Sequence, residues 1–343
     1  MLIRSKAPLR LGLAGGGTDI SNYYNRYGGY VLNATVDMYA YCAIEPTETG
    51  KVEFVAADME RREEYDALSV LPASPSLPLH VGVYNKIIAN FTGKPLSIKL
   101  TTWSDAPAGS GLGSSSTMVV AIIKAFEEWL NLPLGEYDIA SMACAIERDD
   151  IGLAGGKQDQ YAATFGGFNF IEFYANERVI VNPLRLKRWI RNELESSLVL
   201  FYTGVSRESA NIINEQIQNA ENGDNKSIES MHELKNQAVI MKEALLKGNF
   251  KGFSDCLRSG WLAKKKSAAS ISNPVLEELY QYAIDNGAQS AKISGAGGGG
   301  FLMIYCDPCR RISLVNALKK RQGMVLTPTF TERGAQGWTI YNN

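Results

Sequence analysis

The chain has 343 residues, 45% hydrophobic and 21% charged, the proportions of an ordinary globular protein, and its length favours two domains over one. A formal net charge of −1 supplies no global field that would draw it to nucleic acid or to an anionic membrane. No apolar run approaches the ~20 residues of a membrane span, and Met1-Leu-Ile-Arg-Ser-Lys-Ala-Pro8 has no apolar stretch of signal-peptide length, so a cytoplasmic protein is expected.

Residues 2–14 alternate over much of their length and read as a strand interrupted near Pro8. The strand runs into Gly15-Gly-Gly-Thr-Asp19, where Thr18 or Asp19 is placed to cap a helix over 21–27. Gly15 and Gly17 fit the first two positions of a dinucleotide fingerprint, but Ile20 stands where its third glycine belongs. Residues 30–43 and 51–57 are β-rich, 60–65 is a charged surface stretch, and 71–78 is a proline-rich loop. Val81, Tyr84, Ile87, Ile88 and Phe91 have helical spacing. Residues 96–102 form a strand that delivers the chain to Pro107-Ala-Gly-Ser-Gly-Leu-Gly-Ser-Ser-Ser-Thr117. The helix after this loop has one apolar face, Met118, Val119, Ile122, Ile123, Phe126, Trp129 and Leu130, and stops at Asn131-Leu-Pro133.

A second helix is expected over 136–150. It ends in Glu147-Arg-Asp-Asp150, acids that oppose the helix dipole unless a cation or Arg148 offsets them. Asp159 then sits in a glycine-flanked loop before a strand at 168–173. Composition changes over 175–196, which suggests a domain junction. Beyond it come a strand at 198–202, a turn at 203–208, and helices over 207–222, 225–247 and 249–265, with Lys264-Lys-Lys266 as a solvated charge run. Asn273-Pro274 opens a helix to about 286. Strands at 291–294 and 301–305 flank Gly295-Ala-Gly-Gly-Gly-Gly300, and a helix at 310–322 and strands at 324–330 and 338–341 close the chain. The second half is α+β, an antiparallel sheet carrying helices.

Chemistry concentrates in the glycine segments. Gly109, Gly111 and Gly113 can take backbone angles that side chains forbid. The helix that follows offers free N–H groups and a positive dipole end, so residues 107–117 form a natural phosphate cradle. No G-x-x-x-x-G-K-[ST] occurs, and the protein-kinase signatures are missing. Ser114, Ser115 and Ser116 offer hydroxyls beside phosphates, and Glu147 offers a hard carboxylate for Mg²⁺. Asp159 can accept or orient a hydroxyl proton, and Arg10 can keep it ionised and stabilise charge on a transferring phosphoryl group. His80 and His232, the two histidines, leave acid–base work to Asp, Glu, Lys or Arg. The five cysteines are scattered, and Cys306-Asp-Pro-Cys309 reads as a strand end turning into a helix.

Three motifs fall in one order: Ala7-Pro-Leu-Arg-Leu-Gly-Leu-Ala-Gly-Gly-Gly-Thr-Asp19, residues 107–116, and Lys292-Ile-Ser-Gly-Ala-Gly-Gly-Gly-Gly-Phe301, with Gly156-Lys-Gln-Asp-Gln160 before the third. The set resembles the GHMP kinase superfamily, the group of galactokinase, homoserine kinase, mevalonate kinase and phosphomevalonate kinase, over almost the whole chain. Residues 9–19 and 156–163 look like the D-glycero-D-manno-heptose 7-phosphate kinase branch, with the kinase portion of fucokinases a close relative. Gly15-Gly-Gly-Thr-Asp19 lacks the Glu-His of galactokinases, and its Asp is missing from mevalonate kinases.

The resemblance implies an α+β GHMP fold. Residues 1–180 form an N-terminal domain like domain 2 of ribosomal protein S5, and residues 181–343 a ferredoxin-like C-terminal domain, with the active site between them. It implies ATP and Mg²⁺ as cofactors and phosphorylation of the anomeric hydroxyl of a heptose 7-phosphate. The alternatives are a neutral-sugar 1-kinase such as fucokinase, or a ligand-binding regulator without catalysis. Asp159 and Arg10 take the catalytic positions. Pro107, Gly109, Ser110, Gly111, Leu112, Gly113, Ser114, Ser115 and Ser116 hold the nucleotide phosphates, and Ser115 and Glu147 hold Mg²⁺. Gly16, Gly17, Thr18, Asp19, Gly156 and Gly297 face the substrate, with Lys157 and Arg207 as candidates for its phosphate. Partners are then the sugar phosphate and ATP, with no nucleic acid or membrane; a homodimer is compatible with the sequence but not specified by it.

Overall fold

A computed structural model describes residues 1–74, 76–204, 209–221 and 225–341. The first strand, β1 (Leu2–Ala14), is continuous, and the irregularity at Pro8 is taken up as a register shift between Pro8 and Arg10. The turn beyond it leads to α1 (Ser21–Tyr27), whose N-cap is Ile20 with no side-chain cap. Thr18 and Asp19 instead close the glycine turn: the Thr18 hydroxyl donates to the Gly15 carbonyl (2.8 Å) and Asp19 accepts from the Gly17 N–H (3.0 Å). Next come β2 (Gly29–Pro46), β3 (Lys51–Ala56) and β4 (Arg61–Asp66). The charged stretch at 60–65 is thus a strand, and its charges suit the sheet edge it occupies.

Pro78 sits in the tolerated first turn of α2 (Pro78–Ile87). It is followed by β5 (Ile98–Ser104), α3 (Ser114–Leu130) and α4 (Glu136–Ala145). The expected last turn of that second helix, Ile146–Asp150, widens into a π turn. Asp159, expected in a loop, lies in the first turn of α5 (Gln158–Phe165). The junction region holds β6 (Phe168–Phe173), β7 (Val179–Pro183) and α6 (Arg188–Ser197). The second half continues with β8 (Leu198–Tyr202), α7 (Ser209–Glu221), α8 (Asn225–Lys247) and α9 (Phe250–Ser267). It ends with α10 (Pro274–Asp285), capped by Asn273, then β9 (Ala288–Ile293), β10 (Phe301–Cys306), α11 (Arg311–Leu318), β11 (Met324–Leu326) and β12 (Gln336–Ile340).

Among the described residues the strands form two sheets. One has eight strands in the order β12-β1-β2-β5-β3-β4, with β6 paired to β2 and β7 to β6. The other is antiparallel, β11-β8-β10-β9. The expected boundary at 180/181 falls within β7, and β12 returns from the second half to pair with β1. One core joins α2 and α3 to the large sheet through residues such as Phe54, Tyr84 and Phe126. A second joins the two sheets through α8 and α9, with Leu11, Leu200, Met241 and Phe253 buried together. That second core packs the two halves against each other and brings their loops together. No helix among the described residues is long and apolar enough to cross a membrane.

Candidate active site

The expected phosphate loop is written in its glycines. Gly109, Gly111 and Gly113 take φ of 72°, 82° and 78°, a region open to glycine and strained for other residues. Gly113 is the N-cap of α3, so the N–H groups of that helix's first turn point into the loop. The third glycine segment packs on the second, backbone to backbone. A Cβ on Gly295 would lie 2.7 Å from the Gly111 Cα. The Phe301 N–H donates to the Ser110 carbonyl (2.8 Å), and the Ser294 hydroxyl donates to the Gly111 carbonyl (2.9 Å).

Arg10, near the end of β1, ties this junction to α5. Its Nε donates to Asp159 Oδ1 (2.7 Å), its Nη1 to the Gly111 carbonyl (2.6 Å), and its backbone N–H to the Leu112 carbonyl (3.0 Å). The pair is asymmetric: Arg10 is 5% exposed and Asp159 22%, so the carboxylate is the partner that faces the opening. It sits beside the phosphate loop, because a Cβ on Gly113 would lie 3.0 Å from Asp159 Oδ2. Asp19 is buried and accepts backbone N–H bonds from Gly17 (3.0 Å), Lys157 (3.0 Å) and Gln158 (3.1 Å). It thereby stitches the first glycine turn to the start of α5.

Gly156 packs directly on the Asp19 carboxylate, with no room for a Cβ. The Gly156→Ala change is expected to push Asp19 off the Lys157 and Gln158 N–H groups and shift Asp159. Displacements of that size cost up to about 10²-fold in kcat/KM, which steady-state kinetics on a variant of unchanged melting temperature will show.

Glu147, in the π turn, is buried. Its carboxylate accepts from the Ser116 hydroxyl (2.9 Å) and from the Gln160 amide, and the Arg148 guanidinium lies 3.9 Å away. Burial raises its carboxyl above the usual range, against the pull of Arg148, Gln160 and Ser116. Arg148 is otherwise engaged with the Leu153 and Gly156 carbonyls (3.1 and 2.8 Å), bracing the loop before α5.

A cleft of about 260 Å³ opens over these groups. Arg10 and Asp159 share it with Asp19, Glu147, the phosphate-loop serines and Lys264. Two stretches of the chain match known sequence families. Residues 79–167 match the GHMP kinases N terminal domain and residues 241–323 the GHMP kinases C terminal model. Over 338 residues, 98% of this chain and 99% of the relative, the chain is 52% identical to a D-glycero-alpha-D-manno-heptose 7-phosphate kinase of Campylobacter jejuni. The chain belongs to the GHMP kinases.

Crystal structures of related GHMP kinases superpose along the whole chain. One, of a D-glycero-D-manno-heptose 1-phosphate kinase from Bacteroides thetaiotaomicron, has a TM-score of 0.85 at 47% identity, covering 99% of this chain and 100% of that one. A putative sugar kinase from Campylobacter jejuni has a TM-score of 0.83 at 50% identity, covering 99% and 98%. This GHMP kinase is therefore a phosphotransferase with ATP as donor and an alcohol as acceptor.

Within this GHMP kinase the cleft gathers Arg10, Gly16, Gly17, Asp19, Gly109, Gly111, Gly113, Ser114, Ser115, Ser116, Glu147, Gly156 and Asp159 from the sequence-derived set. Ser110 and Leu112 are buried away from it, and Pro107 and Thr18 do not line it. Gly297 packs on Ile271 behind the third glycine segment. The Lys157 ammonium pairs with Glu177 and lies 5.3 Å from the Tyr24 ring centroid, outside the cleft, although its backbone N–H reaches Asp19. Arg207 lies outside the described residues.

Lys264 corrects the reading of a solvated charge run. It is 4% exposed, lines the cleft and donates to the Gly295 carbonyl. Its signal was present in the periodicity: Phe253, Leu257, Trp261 and Lys264 follow the 4-4-3 spacing of one helix face, and the first three are core residues. Gln158, Gln216 and Arg148 also line the cleft without having been singled out as site residues, although Gln158 lies within the Gly156–Gln160 motif and Arg148 beside Glu147; nothing in the local sequence marks Gln216.

Proposed function

We propose that the chain transfers the terminal phosphoryl group of ATP to the anomeric hydroxyl of D-glycero-D-manno-heptose 7-phosphate, giving the 1,7-bisphosphate. The observation that carries this reading is the near-full-length 52% identity to a heptose 7-phosphate kinase. The cleft geometry supports it. The triphosphate lies on the glycine loop and the first turn of α3, and the acceptor lies between Asp159 and Asp19. As the hydroxyl oxygen bonds to the terminal phosphorus, the bond from that phosphorus to ADP breaks and Asp159 takes the hydroxyl proton. Arg10 keeps Asp159 ionised and faces the charge on the transferring group.

The residues fit a magnesium ion. Glu147 is a buried carboxylate in the cleft with neutral donors at both oxygens and an upward-shifted carboxyl, and the Arg148 guanidinium at 3.9 Å only partly offsets its burial. With the Ser115 hydroxyl, which lines the same cleft, it offers the few hard oxygen ligands that Mg²⁺ takes when phosphates and water complete its shell. Such an ion neutralises charge on the phosphates when bound.

The related Bacteroides protein is named a heptose 1-phosphate kinase, so the two relatives agree on a heptose phosphate and differ over the position. An ADP-release screen over heptose 7-phosphate, heptose, sedoheptulose 7-phosphate, fucose, galactose and mevalonate tests the substrate, and phosphorus NMR of the product tests the position. A preference for a neutral sugar, or a product without an anomeric phosphate, would overturn the proposal.

A further inference from the structure

Lys264 has no task in this scheme, yet it is a buried cation that lines the cleft with donors to spare. An ammonium has three protons to donate. One goes to the Gly295 carbonyl, and among the described residues no other acceptor is recorded for it. Its neighbours are already engaged: Arg10 with Asp159 and the Gly111 carbonyl, Arg148 with the Leu153 and Gly156 carbonyls. Behind it a second buried ammonium, Lys292, donates to the Leu13 carbonyl (3.2 Å).

The local charge does not balance. Arg10, Lys264 and Lys292 repel one another, and the carboxylates that act on Lys264 are Asp19 and Asp159. Asp159 is paired with Arg10, and Asp19 is engaged by backbone N–H groups. Burial, reinforced by Arg10 and opposed by the two aspartates, pushes the Lys264 ammonium down to about 8. Burial and the two neighbouring cations hold Lys292 well below the usual lysine range. Uncompensated buried cations are costly, and an arrangement of this kind is stabilised when an anion binds beside it. Lys264 faces Asp19 and Asp159, the acceptor side.

We propose that Lys264 is the cationic ligand for the phosphate monoester that the acceptor already carries, and that it sets the preference for a phosphorylated over a neutral sugar. This deepens the proposed function and rests on it. It also moves the role away from Lys157, whose ammonium is held outside the cleft by Glu177.

The test uses the full chain, wild type against Lys264→Met and Lys264→Arg, with heptose 7-phosphate and heptose as acceptors. Losing a charge-assisted hydrogen bond lowers affinity by about 10- to 100-fold. Lys264→Met is therefore expected to raise the KM for heptose 7-phosphate by that factor. The KM for ATP should stay largely unmoved, and the discrimination between the two acceptors should collapse. Lys264→Arg is expected to retain the discrimination. Arginine does not titrate in this range, whereas a neutral lysine loses its hold on a phosphate. The wild-type KM for heptose 7-phosphate should thus rise above about pH 8 and that of the arginine variant should not, even if the methionine variant fails to fold.

Equal losses on both acceptors, a loss confined to kcat or to ATP, or the same alkaline rise in wild type and Lys264→Arg would overturn the assignment. If wild type prefers heptose 7-phosphate and Lys264→Met keeps its KM, the inference fails alone. If wild type shows no such preference, the proposed function fails with it.

Discussion

Asparagine at position 159 is expected to lower kcat by roughly 10²- to 10⁴-fold, the range attributed to a positioned general base, while ATP binding stays measurable by calorimetry. Asparagine keeps the size of the side chain and an oxygen for the Arg10 Nε, which now lies 2.7 Å from the Asp159 carboxylate. It removes the second anionic oxygen, the one that faces the Gly113 backbone, and with it the acceptor for a hydroxyl proton. The phosphate loop is built from glycine angles and the α3 N-terminus, so it persists in the variant. The fold should survive as well. Arg10 loses its counter-charge but keeps its bond to the Gly111 carbonyl and the oxygen that asparagine offers its Nε. Turnover within tenfold of wild type would remove Asp159 from the chemistry. Loss of ATP binding together with turnover would show that the substitution had disturbed the loop.

Glycine makes much of the candidate site legible in the sequence. Where a chain needs positive φ, few residues serve, so Gly109, Gly111 and Gly113 announce a tight loop, and the apolar face from Met118 to Leu130 announces the helix behind it. The same holds for Gly295, whose φ of 77° and contact with Gly111 both exclude a side chain. Strong local patterns also set most strands and helices of both halves. The α+β class followed from their order, and the GHMP motifs joined them into one fold.

What stayed hidden was long-range or short. α5 spans eight residues, too few for a periodic signal to stand out, so Asp159 read as a loop residue. Nothing local tells β12 to cross from the second half and pair with β1, because the partner of an edge strand is chosen by geometry elsewhere. Asp19 looked like a helix cap on local chemistry, but the N–H groups of Lys157 and Gln158, some 140 residues away, compete for its oxygens and win. Lys264 was hidden by its neighbours. Three consecutive lysines on a helix point about 100° apart, so a run that is solvated on average can still bury one member. Lys264 is 4% exposed.

Glutamine at position 147 should separate stability from activity. Glu147 is 2% exposed, and burial raises its carboxyl, so the folded chain holds the ionised form less easily than the unfolded chain does. A raised carboxylate destabilises the fold fully above its folded value, and the penalty fades as pH falls through that value toward the unfolded range. Glu147→Gln is therefore expected to melt higher than wild type at pH 7 to 8, by roughly 1–2 °C for each kcal/mol relieved, with the gain shrinking in acid. Turnover should fall steeply, by about 10²-fold or more, because a neutral amide is a poor hard-cation ligand. Magnesium with a non-hydrolysable ATP analogue should raise the wild-type melting temperature by ligand linkage and raise that of the variant less. A variant that melts lower at neutral pH would mean that the Ser116 and Gln160 bonds to Glu147 outweigh its desolvation. A variant with an undiminished magnesium response would take Glu147 out of the proposed metal site. The expected combination, higher melting with lost turnover, is what a buried charge kept for its ligand produces: the apo fold is destabilised by a group whose partner arrives with the substrate.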